Sequence, residues 1–575
     1  MNEKLLEPLK YYESCGKEEH ARNAAEYFDA LLAESRVDVE ENRNTVKKYD
    51  TERDTATKIR QGIKKKEMLR ALSIAGIVLS VVLFLIGIYL SSEGGSGAVL
   101  LMVAAGVLLP LCIVSIIRLK PKIKAANELF LKHEAEANKY LAEANAQMAP
   151  LNALFDNTDT FRLIEKTVPD IEFDPCFTMD NYDLFRDKYD FIDLQGKKSS
   201  VVDTVSGRLC GNPFLLCKSL LHEMGTKTYM GTKVISWTET YRDSDGKMRT
   251  RTRTQTLTAT VTKPFPEYEE KTYLCYGSQA APDLSFDRTP KHTERLSERQ
   301  IERRVNRGEQ KLKKKAERSM RKGGSFQEMA NSEFDVLFGA DNRDHEVQFR
   351  LMYTPLAQQN TVDLMTSKTG YGDDFHFNKR HRFNMITSEH AQGLSLDTSS
   401  SNYRSHSVDL ARDKFIRFNS EFFKSLFFDF APLLSVPAYL EEPCASLEPP
   451  EEYSSYYTSY EHEVMANALG EREFAHEATA TRAILNTSLI GKDKDGDRVA
   501  VTALSFAREP RMDFVPVLGG DGRLHSVPVP WDEYIPLEWT RTMLVGSAPA
   551  SEREIRGIDK IPGGAYFHGM CARTL

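Results

Sequence analysis

Residues 71–92 read ALSIAGIVLSVVLFLIGIYLSS, and residues 94–117 read GGSGAVLLMVAAGVLLPLCIVSII. The first run is 22 residues long with 13 Leu, Ile, Val or Phe; the second is 24 with 12. At roughly −0.3 to −0.6 kcal/mol for each such residue near a helix centre, insertion into hydrocarbon outweighs Ser73 and Ser80. Each run is long enough to cross a core about 30 Å thick, whereas a buried soluble helix seldom carries more than ~14 wholly apolar residues. The sequence therefore predicts a transmembrane hairpin over 71–118, with spans at 71–92 and 97–117. Pro110 introduces a kink of the kind membrane helices tolerate.

The flanks orient that hairpin. Its tip carries Glu93 and no Lys or Arg, while Lys58, Arg60, Lys64, Lys65, Lys66 and Arg70 precede the spans and Arg118, Lys120, Lys122 and Lys124 follow them. Basic residues stay on the cytoplasmic side, so both termini are expected in the cytoplasm of a multi-pass plasma-membrane protein. The spans hold no Asp, Glu, Lys, Arg or His. Without an intramembrane charge there is no ion path, which makes the hairpin an anchor rather than a transporter. The first span begins 70 residues in, too late for a cleaved signal peptide. The eight cysteines (15, 112, 176, 210, 217, 275, 444 and 571) include no C-x-x-C pair. They read as free thiols of a reducing compartment, with a zinc site from distant cysteines as the lesser alternative.

The rest of the 575 residues is ordinary globular material, 41% hydrophobic and 28% charged. Collagen-like, wholly disordered and disulfide-scaffold classes are excluded. A net charge of −7 gives no overall pull toward nucleic acid. Residues 1–70 form a polar helical region. Beyond the spans, Ile123, Ala126, Phe130, His133, Ala137, Tyr140, Ala144, Met148 and Leu151 recur at steps of three and four, marking one helical face over 119–155. That face predicts a cytosolic stalk, a coiled coil with the helix before the spans or an amphipathic helix docked on the globular part. It is also a seam through which two copies could pair. The fold class that results is an integral membrane α-helical hairpin with a helical or coiled-coil stalk and cytosolic α+β domains at 156–288 and 325–575.

Within 156–288 the clearest β signal is the hairpin 232–262. Its turn is Asp243-Ser244-Asp245-Gly246-Lys247, and every even position from Thr250 to Thr262 is Thr. Pairing Arg242 with Met248 sets Glu239 opposite Arg251 and Trp237 opposite Arg253, for one ion pair and one cation–π contact. The arginines make a solvated distal ribbon or a polyanion-binding one. Residues 289–324 are the second marked shift. Positions 288–322 hold 14 Lys or Arg against five Glu, which is +9 and leaves −16 for the remainder. A thin stripe of Leu296, Ile301, Val305, Leu312, Ala316 and Met320 predicts a helix from Glu294 to about Arg321, closed by Gly323-Gly324. Its exposed cations Arg295, Arg299, Arg303, Arg304, Lys313, Lys314, Lys315 and Arg318 form either a solvated face or a contact surface for anionic lipid. Nucleic acid is the weaker partner, because no aromatic residues are interleaved for stacking.

Further on, Glu346–Tyr353 alternates as a strand would, Arg417–Leu433 is strongly apolar, and 449–460 is a Glu- and Tyr-rich loop. Strands are expected at 498–507, 514–518 and 524–528, after the hairpin turn Asp493-Lys494-Asp495-Gly496-Asp497. That turn is no calcium loop, since its Gly stands at position four and position twelve is Leu504. No phosphate-loop, dinucleotide or nucleophile-elbow motif occurs, and His222-Glu223 lacks the second His of a zinc-protease helix. The remaining constellation is His462-Glu463 with His476-Glu477, in a stretch read as helical from about Tyr460 to Leu485. One continuous helix would separate the two histidines by roughly 21 Å, so a shared metal needs a break at Gly470 or partners such as His376, His381 or His390. No cofactor is predicted.

Phe334-Asp335-Val336-Leu337-Phe338, Asp344 to Leu351 and Thr354-Pro355-Leu356 resemble a cadence of uncharacterised bacterial membrane proteins with an N-terminal transmembrane hairpin and a cytosolic domain. Ile235-Ser236-Trp237, Gln255-Thr256-Leu257 and Ala281 to Phe286 are similar to segments of larger membrane proteins of mollicutes and related Gram-positive bacteria. The resemblance covers about a fifth of the chain. It implies the architecture and transfers no catalytic residue. The function expected is a membrane-anchored scaffold or sensor that recruits a cytosolic protein partner to the inner membrane face. Its rivals are a membrane-tethered, metal-dependent hydrolase using His462, Glu463, His476 and Glu477, and capture of anionic lipid or nucleic acid by the basic helix.

Overall fold

The computed structural model describes residues 3–92, 98–242, 244, 246–441, 457–494, 496–547, 564–567 and 570–575. The interspan tip with Glu93, the turn residues Asp243, Asp245 and Asp495, Cys444 and most of the 449–460 loop lie outside them. The chain divides into a helical unit, residues 21–159 and 398–420, and an α+β body, residues 1–20, 160–397 and 421–575.

Two helices dominate the helical unit, Val39–Ser92 and Ala98–Leu154. At 54 and 57 residues each extends for roughly 80 Å. Both carry an apolar stretch long enough to cross a membrane, and only 11% of each stretch is buried. They run antiparallel: Gln147 donates to Thr45 Oγ1 at 3.1 Å, His133 meets Glu52 at 2.6 Å, and Ser73 Oγ donates to Ser115 at 3.0 Å. The face anticipated from three- and four-residue steps is the one turned inward, with Ile123, Ala137, Ala144, Met148 and Leu151 buried. Phe28, Phe155, Tyr403 and Phe415 close one end of the unit as an aromatic cluster.

The body is built on two antiparallel sheets. Its strands are β1 (Ile171–Phe173), β2 (Ser199–Leu209), β3 (Asn212–Arg242), β4 (Met248–Gly277), β5 (Ser285–Arg288), β6 (Phe375–Arg380), β7 (Phe383–Ser388), β8 (Ile484–Asp493), β9 (Gly496–Leu518), β10 (Leu524–Ser547), β11 (Gly564–Phe567) and β12 (Met570–Thr574). One sheet runs β1-β2-β3-β4-β7-β6-β5, the other β11-β12-β10-β9-β8. The Ser459–Leu469 helix serves both cores. Tyr460 and Val464 pack with Phe177, Phe185, Leu215 and Phe383, while Met465 and Ala466 pack with Leu485, Val499, Val501 and Met543.

The register expected at the Asp-Gly turn holds: Arg242 pairs with Met248, Glu239 with Arg251 and Trp237 with Arg253. The ion pair takes the diagonal instead, and the indole bonds along its own strand. Arg253 bridges to Glu239 at 2.7 Å, and Trp237 Nε1 donates to the same carboxylate at 3.2 Å. The hairpin is also far longer than 232–262, pairing without interruption from Phe214–Tyr276 to its tip. β9 and β10 make a second long ribbon, and the two stack on Ile235, Leu257, Ala259, Val527 and Val529. Lys263 clamps them, 2.7 Å from Asp513 and 4.2 Å above the Trp531 ring.

Two local expectations are corrected. Residues 346–352 are helical, not a strand. His345 caps the helix by accepting from Gln348 N, and Arg350 reaches back to Glu346 at 3.0 Å. Phe349 and Met352, three apart, are buried, while Val347 and Leu351 face solvent, so the apparent alternation is incidental. The stretch 460–485 is not one helix either. It ends at Leu469, Gly470 turns the chain at φ +105°, and β8 begins at Ile484.

Candidate anion-binding cleft

The basic segment forms a helix at Glu298–Arg321, with a capping box between Ser297 and Gln300. It is docked rather than free-standing. Leu312 and Ala316 are buried against Phe326 and Val336. Gly308 permits the approach, because a Cβ there would stand 2.4 Å from Val336 Cγ1. Between this helix, the 289–296 loop and the Ser332–Phe338 helix lies a cavity of about 770 Å³.

Charge around the cavity is one-sided. Lys291, Arg303, Arg304, Arg307 and Lys311 line it against two carboxylates, Asp335 and Asp341. Both carboxylates are already engaged, Asp335 by Arg343 at 2.8 Å and Asp341 by Lys315 at 3.3 Å. Arg304 donates to Lys291 O at 2.9 Å, and Lys291 Nζ donates to Val336 O at 2.5 Å. Burial, then the charge of Arg288, lowers the Lys291 amine to about 8. Arg303, Arg307 and Lys311 are exposed at the mouth, and none forms an ion pair with a described residue.

The eight cations singled out by sequence therefore divide. Arg303 and Arg304 line the cleft. Arg295 is tied to Glu294 at 3.0 Å, Lys313 to Glu309 at 3.0 Å, and Lys315 to Asp341. Arg299, Lys314 and Arg318 remain exposed elsewhere on the helix. Sequence reasoning missed Lys291, Arg307 and Lys311. The four-residue steps 299, 303, 307 and 311 could have found two of them, since such positions share a helix face. Nothing local marks Lys291.

The histidine–glutamate pairs stay apart in their partners. His462 Nε2 lies 3.2 Å from Asp497 Oδ2, whereas His476 Nδ1 accepts from Ala478 N at 3.1 Å and its ring faces Trp539. Glu463 accepts from Val201 N at 2.7 Å, and burial pushes its carboxyl up to about 8. Glu461 beside it accepts from Phe177 N and Thr204 Oγ1. These buried acids fasten their helix to β2. Glu477 is exposed. His390 joins neither pair: Asp374 holds its Nδ1 at 2.6 Å, Asp429 lies 3.6 Å from Nε2, and Tyr371 stacks on the ring at 3.8 Å. Burial disfavours the imidazolium there, but the two carboxylates override it and hold the His390 pKa above its usual value. Among the described residues, the group compact enough to share a metal ion is Glu52, His133 and Glu136 in the helical unit. Glu52 already takes His133 Nδ1.

The chain matches no protein-family model, no curated protein and no solved structure.

Proposed function

We propose that this chain is a membrane-anchored scaffold or sensor, with the two-span hairpin in the plasma membrane, both termini in the cytoplasm, and the α+β body recruiting protein partners at the inner face. The observation that carries the reading is the apolar belt left uncovered on both long helices. Leu72, Val78, Leu85, Leu100, Val107 and Leu111 are each at least 60% exposed. At about 25 cal/mol per Å² of apolar surface, water is a poor solvent for such a belt, and a bilayer removes the cost. Small or polar groups occupy the seam, where Gly76 meets Cys112 and Ser73 meets Ser115, as membrane helix pairs favour. Extraction tests the reading. The chain is expected to stay with sedimented membranes through high salt and alkaline carbonate and to leave only with detergent. Release by salt alone would make it a peripheral protein and end the proposal.

A further inference from the structure

Arg303, Arg307 and Lys311 stand at four-residue steps, so their stems begin ~6 Å apart along the helix axis. Unpaired cations beside a concave wall raise the local concentration of anions, and here the carboxylates that could cancel them are held by Arg343 and Lys315. The cavity volume of about 770 Å³ falls within the range of small-molecule sites. Its lining includes Leu296, Leu312 and Val336 but no aromatic side chain, so it offers no stacking platform for a nucleobase. Guanidinium forks match phosphate oxygens two at a time, and an ammonium adds a compact charge.

We propose that this cleft binds a phosphoryl group carrying two or more negative charges, borne by a lipid head group or a small soluble molecule. Arg303, Arg307 and Lys311 take its oxygens at the mouth, and Lys291 Nζ meets it from the wall. A bound phosphate favours the charged amine, so the Lys291 contribution to affinity is full below its free value of about 8 and is lost as pH rises through the higher value of the complex, while the phosphoryl group keeps its second charge only above about pH 6. The proposal does not depend on the scaffold reading, because the cleft lies wholly within the body.

The test uses the full chain in nanodiscs of phosphatidylcholine, titrated with inorganic pyrophosphate by calorimetry, with acetylation of Lys291 followed by mass spectrometry. Pyrophosphate is expected to bind and to slow Lys291 acetylation. The variant R303Q/R307Q/K311Q is expected to bind at least about 30-fold more weakly, because its three charge-assisted contacts are lost. The control K314Q/R318Q, which alters cations outside the cleft lining, should bind as the parent does. Nanodiscs containing phosphatidic acid distinguish the source: protection of Lys291 there without added pyrophosphate assigns a lipid head group, and protection by pyrophosphate alone assigns a soluble ligand. Absence of binding and of protection in both arms, or a triple variant that binds normally, overturns the proposal. Protection by a single-stranded oligonucleotide alone also overturns it, in favour of a nucleic-acid surface.

Discussion

Arg343 and Arg307 carry the same chemical group in opposite settings. Arg343 lies between the rings of Phe326 and Phe349, at 4.5 and 4.4 Å, and donates to Asp335, Glu346, Ala340 O and Gln327 O. Arg307 lines the cleft mouth, exposed and without an ion pair to a described residue. A guanidinium whose donors are all engaged inside the fold stabilises and recognises nothing further. One left open beside a cavity contributes little to stability and keeps its charge for a ligand. The contrast separates the many cations of this body into structural and binding groups, which net charge alone does not.

The sharpest way to break the contrast is Arg343→Met. It leaves Asp335 buried without its ion-pair partner and Glu346 held by Arg350 alone, and removing one side of a buried ion pair costs about 3–5 kcal/mol. Urea unfolding of the body should register that loss, and a change below 1 kcal/mol on the same scale would place Arg343 with the dispensable cations. A smaller effect is expected at Glu463, largely protonated at pH 7 because its pKa is about 8. Glu463→Gln should fall within about 0.5 kcal/mol of the parent, whereas Glu463→Ala, which orphans Val201 N–H, should cost roughly 1–3 kcal/mol. Equal losses in both would mean that a charged carboxylate matters there.

His390 tests the pH side. Its folded pKa is raised, so its contribution is complete below the ordinary imidazole value near 6.5 and is lost as pH rises through the folded value. Parent protein should lose stability over that rise, and His390→Phe should lack this step. A parallel pair of pH profiles would remove the imidazolium from the account. Smallest of all, R303Q/R307Q/K311Q should leave the melting temperature within about 2 °C of the parent, as exposed substitutions do. A marked drop would show those cations to be structural.

Much of the architecture was legible because its signals are local. Two uncharged runs, a three-and-four-step face and an Asp-Gly turn each act within a few turns of chain, and they anticipated the long helices, the inward face of Ala98–Leu154 and the β3–β4 register. The second ribbon appeared as separate short strands because Pro510, Pro516, Pro528 and Pro530 interrupt the pattern. A two-stranded ribbon with free outer edges accommodates prolines that a central strand would reject. At 346–352 the period of two was misleading, since burial of Phe349 and Met352 decides the helix. The cleft was only half visible. Its helix announces itself by charge, but Lys291, Val336 and Asp341 come from other elements, and only the fold brings them together.

Topology labelling tests the central claim most directly. Glu93→Cys in the interspan tip and Glu3→Cys near the N-terminus would each be expressed in intact cells and treated with a membrane-impermeant maleimide. A membrane-anchored protein with both termini inside predicts labelling at position 93 from outside, and at position 3 only after the cells are opened. Labelling of both positions only in opened cells, or of position 3 from outside, would contradict it.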